Sequence, residues 1–226
     1  MSEELCQLLV SKGVLKQEIF KSTLECMQHF KEAAKTFDEF FKANYAKGNE
    51  KIPVYFKNKN QHLFQLRFAG DVLIFIMHTN IFEFPRDHEV MRSNYIKENK
   101  DRSYCGMISI FNFLSDSFKY NRVNDIGYMI GRILINRDLH FFVEGKRELA
   151  QILNNFSQKK FSKESAIEII NSAIKYTLNF DLLLPNYDIT KEVSVSDMLQ
   201  MEDQIMTIKT AKRLGFRFEK DNNSNE

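Results

Sequence analysis

The chain reads as a single α+β domain: an antiparallel sheet of about five to six strands packed against a long N-terminal helix and C-terminal helices. Three observations predict it. Apolar residues recur at spacings of three and four over residues 15–46, the period changes to two from Ile52, and the helical period returns at Ser162. Helix, then strands, then helices is the order of an α+β unit, and short links between strands favour antiparallel neighbours. The domain is expected over 1–218, with 219–226 as a disordered tail.

The first helix is predicted over 15–46 from Phe20, Leu24, Met27, Phe30, Ala34, Phe37 and Phe41, with Gly48 and Asn49 suited to its end. A rod of about 45 Å would outrun most domains of this size. Part of this helix is therefore a candidate homodimer surface. Next come a strand at Val54–Phe56, a polar turn at Lys57–Asn60, and LFQLRF, where Phe64, Leu66 and Phe68 alternate with Gln65 and Arg67. A turn is expected at Ala69-Gly70-Asp71, with glycine supplying positive φ. Val72 to Met77 is apolar on both faces, as in a central strand. Pro85 ends that ladder, and the charged run 85–103 reads as a surface excursion. MISIFNFL (107–114) is a strand or a helix start. YMIGRILI (128–135) and LHFFVEG (139–145) form a hairpin around Asn136-Arg137-Asp138.

Ser162 is placed to cap a helix whose apolar side is Ala166, Ile169, Ile170, Ile174 and Leu178. Pro185 stops the connector that follows. A last helix capped by Ser194 or Ser196 carries Met198, Met201, Ile205 and Ile208, with Met206 and the basic Lys209, Lys212 and Arg213, and ends near Gly215.

Composition bounds function. The chain is 43% hydrophobic with 21 Phe and no Trp, so Phe, Ile and Leu build the core. A net charge of +2 gives no general attraction to nucleic acid or acidic membranes, leaving only local patches. Cys6, Cys26 and Cys105 form no C-x-x-C and indicate no disulfide framework. The start, MSEELCQLLVSKG, lacks the basic and apolar regions of a secretory signal, and no apolar run nears the ~20 residues of a membrane span. A soluble cytoplasmic protein is expected.

Four places could carry chemistry. The stretch DLHFFVEGK (138–146) is similar to the acid-x-Lys pattern of PD-(D/E)xK nucleases. Asp138 and Glu144 would hold Mg²⁺ there, and Lys146 would orient water for phosphodiester hydrolysis. Asp116, Lys119, Tyr120 and Arg122 form a polar–aromatic cluster able to stack on and neutralise a nucleotide. His78 and Asn80 break the apolar run GDVLIFIMHTNIFEF: on a continuous strand they would face the core beside Ile76 and Phe82, and at a bend they would lie at an exposed mouth. The basic end of the Met-bearing segment could meet a membrane or an acidic partner. The five histidines show no H-x-x-x-H spacing, and neither G-x-G-x-x-G nor G-K-[ST] occurs.

With GDVLIFIMHTNIFEF, RSYCG, SDSFKYNR and HFFVEGKREL in view, the chain resembles a conserved bacterial family of uncharacterised proteins over about residues 50–190. The resemblance implies a bacterial cytoplasmic setting and carries no activity, cofactor or partner. The expectation is a non-catalytic binding or regulatory domain. The alternatives are the Mg²⁺-dependent nuclease at Asp138, Glu144 and Lys146, and a small-ligand sensor with a pocket near His78 and Asn80.

Overall fold

The computed structural model describes residues 2–146, 148, 149, 152, 155–180, 187–190, 192 and 194–196. The last helix expected from Met198 onward, and the tail, lie outside these residues.

Helix α1 spans Glu3–Asn44. Six strands follow one another across the sheet in the order β1 (Val54–Asn60), β2 (Leu63–Phe68), β3 (Asp71–Met77), β5 (Tyr104–Leu114), β6 (Tyr128–Ile135) and β7 (Phe141–Gly145), and every neighbour is antiparallel. The short β4 (Phe82–Glu83) pairs with β5. Helices α2 (Asn94–Glu98) and α3 (Ser115–Lys119) are single turns within connections, α4 is Lys163–Leu178, and α5 is Tyr187–Thr190.

Period two divides the sheet into an inner and an outer face. Inner residues Phe64, Leu66, Leu73, Phe75, Ile108, Ile110, Ile133 and Phe141 form one core with Met27 and Phe30 of α1 and Ile169, Ile170 and Ala173 of α4. Phe30 is the hinge of that packing: its ring lies 5.4 Å from Phe75 and 5.1 Å from Phe161, which leads into α4. The cap expected at Ser162 forms, its Oγ accepting from the Ser165 N–H at 3.3 Å. Leu178 is 57% exposed, however, and Ala173 and Thr177 take the inward positions instead, because the buried stripe drifts around a 3.6-residue helix.

The outer face is divided. Over β5, β6 and β7 the excursion 84–103 covers it, burying Phe84, Val90 and Ile96 against Cys105, Leu134 and Phe142. That excursion is pinned turn by turn. His88, Ser93 and Asn99 each accept a hydrogen bond from a backbone N–H two or three residues ahead. Over β1, β2 and β3 the outer face lies beyond that excursion, yet Val72 and Ile74 are buried there and Ile76 is 36% exposed. Of the β3 residues expected to be covered on both faces, Val72 to Met77, Ile76 alone is exposed.

Three local expectations change. The first helix begins at residue 3, and over 42 residues it is about 63 Å long. Its first three turns run past the sheet with Leu5, Leu8 and Leu9 exposed, while the expected dimer surface over 15–46 buries its apolar side in its own core. Lys57–Asn60 continues β1 instead of turning, and the turn falls at Gln61 and His62. The positive φ before β3 belongs to Ala69 (48°) and not to Gly70.

Both sheet edges are met from within the chain. Asp38 of α1 is buried and its Oδ2 accepts the Phe56 N–H at 3.1 Å, while Lys42 pairs with the same carboxylate at 2.7 Å. At the other edge, His140 bridges Lys160 and the Phe161 N–H donates to the Leu139 carbonyl at 2.8 Å.

α1 comes down tightly on β5 at Gly106, where an added Cβ would strike the Thr23 side chain. Gly106→Ala should destabilise the domain by about 1–3 kcal/mol in urea unfolding, as overpacking does. Adding Thr23→Ala should restore part of that loss. Equal unfolding midpoints for Gly106→Ala and the parent would refute the close approach.

Candidate functional site

The hairpin β6–β7 organises the first polar cluster. Asn136 is fully buried in its turn. Its Oδ1 accepts the Asp138 and His140 N–H groups, both at 3.0 Å, and its Nδ2 donates to Tyr95 Oη at 3.0 Å. Tyr95 Oη in turn donates to Asp138 Oδ2 at 2.8 Å. The Arg102 guanidinium lies 4.2 Å above the Tyr95 ring and within 3.7 Å of Asp138, and Arg137 also reaches Asp138 at 3.8 Å. His140 stacks on Tyr95 at 4.6 Å and donates through Nδ1 to the Phe156 carbonyl at 2.6 Å. Burial, aided by the bond to Asp138, pushes the Tyr95 phenol up from 10.0 to about 12.

Glu144 stands apart from this cluster, three residues into β7, about 10 Å along the strand from Phe141. It faces Arg132, its cross-strand partner, and the two form an ion pair. His88 Nε2 approaches its other oxygen at 3.6 Å, while His88 Nδ1 accepts the Val90 N–H at 3.3 Å. Both ring nitrogens are therefore engaged. Lys146 is exposed beyond the strand end. The residues read as a nuclease triad do not gather in one cradle: each carboxylate has its own arginine, and no partner is shared. Among the described residues no group of three or more His, Cys, Asp or Glu is placed to hold a metal.

The break at His78 resolves as a bend. The strand stops at Met77, and His78, Thr79 and Asn80 are exposed. The His78 N–H still donates to the Met107 carbonyl at 2.8 Å; beyond it a local turn replaces the ladder, with His78 Nδ1 accepting the Asn80 N–H at 3.2 Å and its ring meeting Phe82 edge-on at 4.9 Å. The bend forms one wall of an open groove of about 600 Å³ against α1, lined by Lys16, Gln17, Phe20, Thr79, Asn80, Ile81 and Phe82. Lys16, Gln17, Thr79 and Asn80 enter no side-chain hydrogen bond or ion pair among the described residues.

The third place is the corner 115–127, at the opposite end of β3. Six strand steps, about 20 Å, separate Asp71 from Met77. The ligand candidates thus fall into two sites: His78 and Asn80 at one end, and Asp116, Lys119, Tyr120 and Arg122 at the other. Within the corner, Arg122 pairs with Asp125 at 3.0 Å, and Ser117 Oγ donates to the same carboxylate at 2.6 Å. Asp116 and Lys119 are exposed, and the Lys119 ammonium rests 4.7 Å from the Tyr120 ring centre.

Sequence reading did not connect His88 with Glu144, or Tyr95 with Asp138. The Arg132–Glu144 pair was missed by two residues of register: a turn limited to Asn136–Asp138 would set Ile135 against Leu139 and Arg132 against Phe142, whereas Ile135 pairs with Phe141 and so puts Arg132 opposite Glu144.

Two outcomes follow from the Asn136 cluster. Asn136→Ala should cost about 2–4 kcal/mol in urea unfolding, because it strands buried N–H groups. The raised Tyr95 pKa means the fold favours the neutral phenol. That contribution is fully present below about pH 10 and is lost as pH rises through about 12. Tyr95→Phe should flatten the fall in stability across that window and remove a phenol absorbance transition near pH 12. An unchanged spectrum would disprove the assignment.

No protein-family profile, no curated protein and no solved structure matches this chain.

Proposed function

We propose that this chain is a non-catalytic binding domain, and that the groove between α1 and the β3–β4 bend takes a small anionic ligand. One observation carries the reading: Lys16, Gln17, Thr79 and Asn80 converge, without partners of their own, around Phe20, Ile81 and Phe82. Cation, amide and hydroxyl above an apolar floor are the usual make-up of a site that orients a small ligand. By contrast, Asp138, Glu144 and His88 are spent on internal pairing, which holds the excursion to the sheet.

The proposal extends to setting and assembly. Cys26 and Cys105 are buried free thiols and Cys6 an exposed one, which suits a reducing bacterial cytoplasm. No helix among the described residues is long and apolar enough to cross a membrane. A second copy is the proposed cover for the overhang of α1, where Leu5, Leu8 and Leu9 repeat at helical spacing.

Native mass spectrometry of the gently purified chain should show a small bound anion that is lost from the Lys16→Ala/Asn80→Ala variant. Identical adducts on both proteins would end the groove reading. Sedimentation should give a dimer that Leu8→Glu/Leu9→Glu converts to monomer, and a parent chain that is monomeric at high concentration would end the dimer reading.

A further inference from the structure

The open part of the outer face has a regular chemistry. Three rows cross it. The first runs Tyr55, Arg67, Val72 and Phe113; the second Lys57, Gln65, Ile74, Phe111 and Met129; the third Leu63, Ile76, Ser109, Arg132 and Glu144. The middle of this area is apolar and aromatic: Val72 and Ile74 are buried among their neighbours, while Ile76 is 36% and Met129 44% exposed. Its first row continues into the corner 115–127, because Phe118 packs edge-on against Phe113 at 5.3 Å and itself remains 50% exposed.

Cations ring the apolar centre. Arg67 reaches over the Tyr55 ring at 5.6 Å and donates to its hydroxyl at 3.2 Å. Lys57 follows along the edge strand, Lys59 stands at the register shift after Asn58, and Lys119 stands across from Arg67, close enough for the two charges to repel. None of these four makes an ion pair among the described residues. The carboxylates nearby are largely spoken for: Glu144 by Arg132 and His88, Asp125 by Arg122 and Ser117. Asp116 alone acts on Lys119 from the corner.

We infer that this face binds single-stranded nucleic acid, with bases lying on Tyr55 and Phe118 and the backbone following Lys57, Lys59, Arg67 and Lys119. Two physical needs select that occupant. Flat aromatic rings in the open offer stacking to unpaired bases and nothing to a closed duplex, while unpaired cations at the rim match a phosphate chain. With a net charge of only +2, the chain has no general pull on a polyanion, so the attraction here rests on these four local cations. The groove at Lys16 and Asn80 shares none of these residues and is independent of this assignment.

Fluorescence anisotropy of a labelled oligo(dT) of about twelve nucleotides tests it. Binding should weaken with salt at a log–log slope of about −3, from four phosphate contacts at about 0.7 each. Lys57→Gln/Lys119→Gln should flatten that slope by about 1.4. Tyr55→Ala and Phe118→Ala should each weaken binding about fivefold or more, and Tyr55→Phe should retain it. A duplex of equal length should bind at least about tenfold more weakly, having no free base faces. All these side chains are on the surface, so the variants should melt with the parent. No binding at low salt would overturn the inference. So would equal affinity for duplex and single strand with Tyr55→Ala unaffected, since that is attraction to any polyanion.

Discussion

The structure depends on how α1 seats across the inner face of the sheet. Phe30 joins Phe75 of the central strand to Phe161 at the approach to α4, so one ring ties both helices to the sheet. Full burial of each such side chain contributes about 1.5–3 kcal/mol, which makes this contact line the main source of cohesion. It also sets local demands. β5 carries glycine where Thr23 comes down on it, and Asp38 turns inward to meet a strand N–H. Because α1 and α4 both use the inner face, the excursion 84–103 is what packs on the outer face among the described residues.

That uneven coverage decides what becomes of the polar groups. Under the excursion, side chains lose water, and each charge must find a partner within the protein. Asp138 finds Tyr95 and Arg102, and Glu144 finds Arg132 and His88. Outside the excursion, Lys57, Lys59 and Lys119 are exposed, keep their hydration and need no counter-charge. Acids with a nearby lysine in sequence can look like a catalytic set, yet in space they are struts between layers.

Much of the fold was legible because it rests on local periods. Alternation in LFQLRF, the cap at Ser162, and the hairpin at Asn136–Asp138 all survive in the structure. The start of α1 was not legible: residues 3–14 show no buried apolar stripe, Lys12 meeting the fold only through Asp101 and the Tyr104 ring, and Gly13 argues against a helix by propensity. The positive φ at Ala69 was hidden by the glycine beside it. The polar break at His78 was legible as a question, and the structure answers with a bend whose turn bond, Nδ1 to the Asn80 N–H, no periodicity encodes. Contacts such as Tyr95–Asp138 join residues far apart in the chain and emerge only once the layers are assembled.

The wiring of the sheet borders has a consequence for how copies of this molecule can meet. At one border the Phe56 N–H is held by Asp38 and flanked by the Lys57 and Lys59 ammonium groups; at the other, the chain's own 160–161 segment lies along the start of β7. A strand from a neighbour would have to displace a buried carboxylate or the protein's own backbone to extend the ladder. Cross-β growth, the usual hazard of an open six-strand meander, is therefore obstructed at both ends. Crowding of this protein should lead to contacts through side chains and not to continuous hydrogen-bonded filaments.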